Sequence, residues 1–194
     1  MNTEFFLQII DVAERLKCNT RHSWTSSGRH ESVAEHSWRL CLMAFFLRDE
    51  YPSLDMDKVI RMCIIHDLGE AFTGDIPAFT KTAADEEKED YLLAQWVDTL
   101  PDVYRDEFHA LLAEMNALST DEAKLYKALD NLEAVIQHNE ADISTWLPLE
   151  YDLQLTYGTD KAAFSTYTRE LKAAIDRQTR EKIDRHMALD GKEF

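Results

Sequence analysis

Apolar residues recur at helical spacing in the first quarter of the chain. They occupy positions 5, 9, 12, 13 and 16 in one stretch, and 33, 37, 40, 41, 44 and 45 in the next if Ser37 counts as a small member. Spacings of three and four residues place such side chains on one face of a helix. The pattern therefore predicts two amphipathic helices, joined by the polar loop "NTRHSWTSSGRHE".

The rest of the chain continues the helical pattern. A third helix is predicted from about Asp55 to Glu70, where "TGDIP" ends it because glycine and proline both oppose helix continuation. Further helices are predicted for residues 83–99, 101–115, 119–141 and much of 160–189, and Ser119 and Glu122 have capping-box spacing. Since the sequence contains no period-two segment and no internal repeat, we predict an all-α bundle of about six to eight helices.

Size and composition indicate one compact domain with a substantial core. The 194 residues are 45% hydrophobic, which is too apolar for a disordered chain. The formal charge of -16 repels nucleic-acid backbones and anionic lipid surfaces, so we expect neither a polynucleotide nor a membrane as a partner. The stretch from Arg15 to His30 holds four basic residues and no acid, which suffices to bind a small anion.

The cysteines and the first residues of the chain indicate its cellular compartment. Cys18, Cys41 and Cys63 are odd in number and widely spaced, so no disulfide framework is indicated. The N-terminal stretch has early acids and no small-residue cleavage site, and no apolar run approaches the roughly 18 residues of a membrane span. We expect a reduced, cytoplasmic protein.

Several metal-ligand side chains fall on or beside inward-facing helix surfaces. His66, Asp67 and Glu70 can project to one side of the third predicted helix, and His36 lies on the apolar side of the second. Asp130 sits beside an apolar stripe of a later helix. A buried imidazole or carboxylate needs a partner, and one cation bound by His36, His66, Asp67 and Asp130 would satisfy all four. Mixed imidazole and carboxylate ligands favour a transition metal over calcium.

Simpler explanations exist for each of these residues. A single inward histidine such as His36 is more often hydrogen-bonded within the core than bound to a metal, and "HD" is a common dipeptide. Asp130 and Glu70 can be surface acids, although an acid near a helix C-terminus opposes the helix dipole. The periodicity alone supports a candidate metal site and nothing more.

Three segments together resemble a known family. "ESVAEHSWRL", "IIHDLGEAFTGDIP" and "EAKLYKALDNLE" occur in this order and resemble the H…HD…D pattern of the HD-domain superfamily of metal-dependent phosphohydrolases, and within it most closely the 5'-deoxynucleotidase family. The similarity runs from about Phe5 to Glu140 and fades beyond Trp146. It implies a single HD domain over residues 1–194, with a core at 5–141 and a C-terminal helical extension at 146–194.

The resemblance also implies roles for individual residues. It makes His36, His66, Asp67 and Asp130 the metal ligands. It places Glu70 in catalysis, Asp75 against the substrate sugar and Arg21 against the phosphate. Trp24 resembles a substrate-binding tryptophan of the same loop, for which core packing is the alternative, and Asp75 can equally be an ordinary turn residue. A homodimer is implied as well.

The resulting hypothesis is hydrolysis of (deoxy)nucleoside 5'-monophosphates to nucleoside and phosphate, with one divalent Co, Mn, Fe, Ni or Zn ion as cofactor. One alternative keeps the enzyme class and changes the substrate to a nucleoside triphosphate or an alarmone, whose extra charge needs a larger basic surface. The other alternative is a helical module that binds a metal or a nucleotide without turnover.

Overall fold

Three helices around one apolar core organise the molecule. The structure is a computed structural model, and it describes residues 1–190. The three helices are α2 (Val33–Phe46), α3 (Met56–Ile65) and α7 (Asp121–Glu140), which pack against one another. Leu40, Met62 and Leu129 are fully buried between them. Burying each such side chain contributes about 1.5–3 kcal/mol, so this core anchors the helix ends that carry the polar residues.

The N-terminal elements cover one end of this core. Helix α1 (Thr3–Cys18) begins where the Asn2 side chain accepts a hydrogen bond from the Phe5 amide. It buries Val12 and Leu16 against α2 and α4 (Glu70–Thr73). An antiparallel hairpin follows, made of β1 (Thr20–Trp24) and β2 (His30–Ser32), and β1 contacts α7.

The remaining helices pack around these elements. They are α5 (Ala83–Val97), α6 (Asp102–Ala117), the 3-10 helix Ile143–Thr145, α8 (Glu150–Thr156), α9 (Thr159–Ala162) and α10 (Thr166–Asp190). Helix α10 lies along α7, with Ile175 buried in a cluster that includes Leu132 and Val135. The described residues thus include eight helices of at least seven residues, and the all-α prediction is confirmed. Within residues 1–190, none of the helices combines the length and apolar character that crossing a membrane requires.

The predicted loop at residues 19–31 is wrong, because this segment forms the β1–β2 hairpin. The strands are five and three residues long, too short to produce a detectable period-two pattern. Gly28 adopts a φ of 81° in the turn, and Gln137 on α7 donates a hydrogen bond of 2.5 Å to the Trp24 carbonyl. The hairpin is therefore held by a residue far away in sequence.

Three predicted helix boundaries also need correction. The third helix ends at Ile65 instead of Glu70, because the next residues form tighter turns with hydrogen bonds such as Leu68 N to Ile65 O. Thr120, not Ser119, caps α7 by accepting from the Ala123 amide, while Glu122 accepts from the Asp55 amide. The last predicted helix is split into α9 and α10. Residues 191–194 of the predicted extension lie outside the described residues.

Candidate metal centre and substrate cavity

Four polar side chains converge where α2, the turn after α3, and α7 meet. His36 Nε2 lies 3.1 Å from both His66 Nε2 and Asp130 Oδ1. His66 Nε2 lies 3.0 Å from Asp67 Oδ2 and 3.6 Å from Asp130 Oδ1. The structure thus brings together all four residues that were predicted as metal ligands, and we refer to His36, His66, Asp67 and Asp130 as the metal centre.

Both histidines of the metal centre are held through their other ring nitrogen. His66 Nδ1 lies 2.9 Å from the Cys63 carbonyl, which can only accept, so Nδ1 carries the proton. His36 Nδ1 donates to the Glu133 carboxylate, and His36 and Glu133 are both fully buried. In the neutral imidazoles these contacts leave each Nε2 with a lone pair directed at the cluster, the arrangement typical of metal-bound histidine.

The carboxylates near the metal centre are also oriented by cations. Lys127 Nζ donates a 2.8 Å hydrogen bond to Asp130 Oδ2, leaving Oδ1 turned toward the histidines. Burial opposes ionisation of Asp130, yet the positive charge of Lys127 holds its pKa well below the usual value. Arg39 Nε donates to Glu133 at 2.5 Å, which compensates the charge of this buried carboxylate.

This set of donor atoms fits one divalent transition metal ion. Metal–nitrogen and metal–oxygen bonds of about 2.0–2.2 Å place neighbouring donor atoms about 2.8–3.6 Å apart in octahedral and tetrahedral geometries. The donor separations in the metal centre of 3.0–3.7 Å lie close to this range. Two imidazoles with two carboxylates are borderline ligands, better suited to such an ion than to calcium.

Glu70 lies beside the metal centre with one oxygen atom lacking a partner. It is the first residue of α4, and its backbone carbonyl accepts from Asn19 Nδ2 at 2.6 Å. The side chain is buried, and Oε2 forms no hydrogen bond with the described residues. Burial, together with the nearby charges of Asp67 and Asp75, raises the pKa of Glu70 to about 9. A buried carboxyl group of this kind needs a ligand, a water molecule or a cation to compensate it.

Arg21 approaches the metal centre from β1. Its Nη1 lies 3.3 Å from Asp67 Oδ2, and its Nε lies 3.4 Å from Glu31 Oε2 without forming a hydrogen bond. Burial lowers the pKa of Arg21, but the neighbouring Asp67 and Asp75 outweigh this effect and raise it. Arg21 is therefore a permanent cation with an N–H group still available to an anionic ligand.

A cavity opens next to these residues. Arg21 and Asp75 line it together with His22, Phe79, His138 and Tyr157. Burial is the largest cause that raises the pKa of Asp75. We refer to Arg21, Glu70 and Asp75 as the substrate wall: Arg21 and Asp75 line the cavity, and Glu70 lies close enough to Asp67 and Asp75 for their charges to raise its pKa. Trp24 does not line the cavity, because its indole ring packs on His30 with centroids 4.0 Å apart.

Sequence reasoning missed the residues that support the metal centre. Glu133, Arg39 and Lys127 were not singled out, although Lys127, Asp130 and Glu133 are three residues apart on one helix and so share a face. This spacing was the sequence signal that could have identified Lys127 and Glu133 as neighbours of Asp130. The predicted basic stretch also changes in the structure, because Lys17 and Arg29 pair with Glu14 and Glu35, whereas Arg21 reaches Asp67 of the metal centre.

Comparison with known proteins agrees with this geometry. The model of the HD domain family matches residues 13–172. The human protein named 5'-deoxynucleotidase HDDC2 is 31% identical over 138 residues, which cover 69% of this chain and 67% of that protein. The 5'-deoxynucleotidase YfbR of Salmonella paratyphi B is 32% identical over 134 residues, covering 63% of this chain and 67% of that protein.

Solved structures include a similar fold. The crystal structure of a predicted metal-dependent phosphohydrolase from Magnetospirillum magnetotacticum superposes with a TM-score of 0.75 at 29% identity, covering 90% of each chain. The family match spans the elements that carry the metal centre, from α1 into α10. From the match and from the convergence of its four ligand-type residues, the chain belongs to the HD domain family.

Proposed function

We propose that the protein is a metal-dependent phosphomonoesterase that hydrolyses (deoxy)nucleoside 5'-monophosphates to nucleoside and inorganic phosphate. The relatives named 5'-deoxynucleotidase support this activity. One structural observation carries it: beside four converging ligand-type residues, the buried acid Glu70 has an oxygen atom, Oε2, without a partner among the described residues, and the buried cation Arg21 lies 3.3 Å from Asp67 of the metal centre. A water molecule would satisfy Glu70, and a phosphate ester would bind beside it to Arg21.

The metal centre would hold one divalent ion through His36, His66, Asp67 and Asp130. A bound ion of this kind polarises a phosphate oxygen and lowers the pKa of a coordinated water molecule toward neutrality. Cobalt, manganese, iron, nickel and zinc all accept such mixed nitrogen and oxygen ligands. The second contacts of the ligands, made by Cys63, Glu133 and Lys127, keep the donor atoms in place before the ion binds.

Arg21 is proposed to bind the phosphate. Its guanidinium group is largely buried, and its Nη1 reaches a carboxylate of the metal centre. Arginine can present two parallel N–H donors to phosphate oxygens, and these hydrogen bonds are strong because both partners are charged. Arg21 would therefore fix the phosphorus atom in front of the metal centre and offset the charge that develops during transfer.

Glu70 is proposed to transfer the proton. With a pKa raised to about 9 by burial and by Asp67 and Asp75, it is protonated near neutral pH and can donate from Oε2 to the departing sugar oxygen. A cation held by Asp67 would offset the charge of that carboxylate and so would work against this shift, and in its ionised form Glu70 would accept a proton from water. Glu70 is not one of the four converging ligands, so this role does not compete with metal binding.

Asp75 is proposed to contact the sugar. It lines the cavity beside Arg21, so a phosphate held by Arg21 brings the ribose ring within reach of its carboxylate. The carboxylate can accept a hydrogen bond from the 3'-hydroxyl and crowd a 2'-hydroxyl, which favours deoxyribonucleotides. Trp24 is a weaker candidate for substrate binding because its indole ring stacks on His30 outside the cavity lining.

The charges at the site favour monophosphates over more highly charged nucleotides. Of the other three cations of the basic stretch, Lys17 and Arg29 already form ion pairs with Glu14 and Glu35, and Arg15 lies over the Phe72 ring. A triphosphate or an alarmone would meet Arg21 together with several carboxylates, which repel the additional phosphates. A module without turnover would not require a buried acid such as Glu70 to keep an unpartnered oxygen atom.

The test measures inorganic phosphate released from dAMP, AMP and dATP by the purified protein, loaded in turn with each of the five metals. We expect release from the monophosphates and none from dATP. Glu70→Gln should keep its metal and lose about a hundredfold to ten-thousandfold in kcat, whereas Glu87→Gln, at an exposed position of α5, should leave kcat unchanged. A metal-loaded wild-type protein that releases phosphate from none of the nucleotides would contradict the proposal.

Two further properties stay predictions: the cytoplasmic location and the homodimer. The described cysteines are all free thiols, as the cytoplasm favours. Exposed Trp38 and Phe46 on α2, at 65% and 76% exposure, would provide apolar surface for an interface between two copies. Light scattering on the purified protein would give the mass of the assembly.

A further inference from the structure

A second cluster of metal-ligand side chains lines the same cavity. It consists of His22 on β1, His138 on α7 and Glu150 at the start of α8. His138 Nε2 lies 3.0 Å and His22 Nε2 lies 3.1 Å from the same Glu150 Oε1. The donor atoms of all three residues are within 4.8 Å of one another. The cluster shares no residue with the metal centre.

The side chains of His138 and Glu150 are each held in place by a second polar atom, which forms a hydrogen bond with the backbone. His138 Nδ1 donates to the Ala134 carbonyl at 2.9 Å, and Glu150 Oε2 accepts from the Leu147 amide at 2.7 Å. Both contacts point the remaining atom, Nε2 or Oε1, at the common centre. The same kind of support holds His66 in the metal centre, where Nδ1 donates to the Cys63 carbonyl.

The position of the proton on the His138 ring makes a cation between His138 and Glu150 favourable. His138 Nδ1 carries a proton because its partner is a carbonyl oxygen. In the neutral imidazole, Nε2 then has a lone pair that faces the carboxylate oxygen of Glu150, which is 1% exposed. Two facing lone pairs repel each other unless a proton or a metal ion lies between them. His22 Nε2 adds a third donor atom beside the same oxygen.

We propose that His22, His138 and Glu150 form a second divalent-metal site, of the two-histidine, one-glutamate type that binds zinc or a similar transition metal. Three protein ligands leave at least one coordination position for a water molecule or a substrate atom. All three residues line the cavity that Arg21 and Asp75 also line. A nucleotide held by Arg21 would therefore share this cavity with the second ion, whose open position can accept a substrate atom.

The decisive measurement is the amount of metal bound per chain. Wild-type protein, freed of metal with a chelator, is dialysed against Zn²⁺ and separately against Co²⁺, and the bound metal is counted by elemental analysis. We expect about two equivalents for the wild type and about one for His22→Ala and for His138→Ala. The Co²⁺ forms should also differ in visible absorption, since the lost site contributes its own bands. Metal is counted without substrate, so this result does not depend on the proposed phosphatase activity.

A control variant and a measurement of folding complete the experiment. His109→Ala removes a histidine that pairs with Asp98 away from both clusters, and it should retain about two equivalents. Circular dichroism reports whether each variant is folded. If His138→Ala is unfolded, His22→Ala decides alone, because the His22 side chain is 25% exposed and tolerates truncation. One equivalent in the wild type, or two equivalents in His22→Ala, would overturn the proposal and leave the cluster as a hydrogen-bonded ion pair.

Discussion

The metal centre and the substrate wall differ in how completely their polar atoms are satisfied. In the metal centre, His36, His66 and Asp130 each use one polar atom in a contact with Glu133, Cys63 or Lys127. In the substrate wall, Arg21 Nε and Glu70 Oε2 are buried and form no hydrogen bond with the described residues.

This difference indicates that the metal centre and the substrate wall contribute to ligand binding in different ways. Ligand atoms that are held from behind lose little freedom when an ion binds, so the metal centre is preorganised. Buried polar atoms without partners cost free energy in the unliganded protein and regain it when a ligand supplies the missing hydrogen bonds. Substitutions in the metal centre should therefore reduce metal occupancy, whereas substitutions in the substrate wall should change kinetic constants and leave the metal in place.

The largest effect is expected from His66→Ala. It removes a ligand of the metal centre and, with it, several kcal/mol of transition-state stabilisation, so kcat/KM should fall by at least about a thousandfold. Metal analysis should show the loss of one equivalent per chain. His30→Ala is a suitable control, because the His30 ring packs on Trp24 and contacts the Arg21 carbonyl without entering the metal centre. A His66→Ala protein with normal metal content would contradict the expectation that substitutions in the metal centre, unlike those in the substrate wall, reduce metal occupancy.

A smaller loss of metal affinity is expected from Glu133→Gln. The carboxylate accepts from His36 Nδ1 and pairs with Arg39, so its neutralisation weakens the support of a metal ligand. Such supporting contacts are typically worth about ten- to hundredfold in metal affinity. Glu140→Gln is the matched control, because Glu140 pairs with the same Arg39 and does not touch His36. Equal metal dissociation constants for the two variants would show that Glu133 acts only through Arg39.

The helices and the metal centre were largely predictable from the sequence for a physical reason. Apolar residues such as Leu40 and Leu129 recur at helical spacing, so the helix faces that carry His36 and Asp130 follow from local periodicity. His66 and Asp67 lie in the turn after α3, so periodicity places them near the same core, and the resemblance of the three quoted segments to the HD-domain superfamily supplied the set of four ligands. Their roles as ligands stay predictions.

The substrate wall and the hairpin were less accessible to sequence reasoning. The hairpin depends on Gln137, which binds the Trp24 carbonyl 113 residues away, and no local pattern encodes such a contact. The pairing of Arg21 with Asp67 likewise joins residues 46 positions apart. The predicted single domain with a core at 5–141 also stays a prediction, although Ile175 of α10 packs against Leu132 of α7.

An intermediate effect on binding is expected from Arg21→Lys. Lysine keeps the positive charge but cannot offer two parallel N–H donors, so about one charged hydrogen bond to the phosphate is lost. We expect KM for dAMP to rise about tenfold, with a smaller change in kcat and full metal content. Arg29→Lys is the control, because Arg29 is exposed and pairs with Glu35 outside the cavity lining. A loss of metal in Arg21→Lys would assign Arg21 to the metal centre instead of the substrate wall.

The smallest effect is expected from Asp75→Ala, and it concerns selectivity. If the carboxylate accepts from the 3'-hydroxyl and crowds the 2'-hydroxyl, its removal should lower kcat/KM for dAMP more than for AMP and reduce their ratio by about three- to tenfold. Asp85→Ala provides a control, because Asp85 caps α5 and does not line the cavity. An unchanged ratio with normal metal content would remove Asp75 from sugar selection and make it a turn residue. The comparison between the two regions would then rest on Arg21 and Glu70, which each bury a polar atom that forms no hydrogen bond with the described residues.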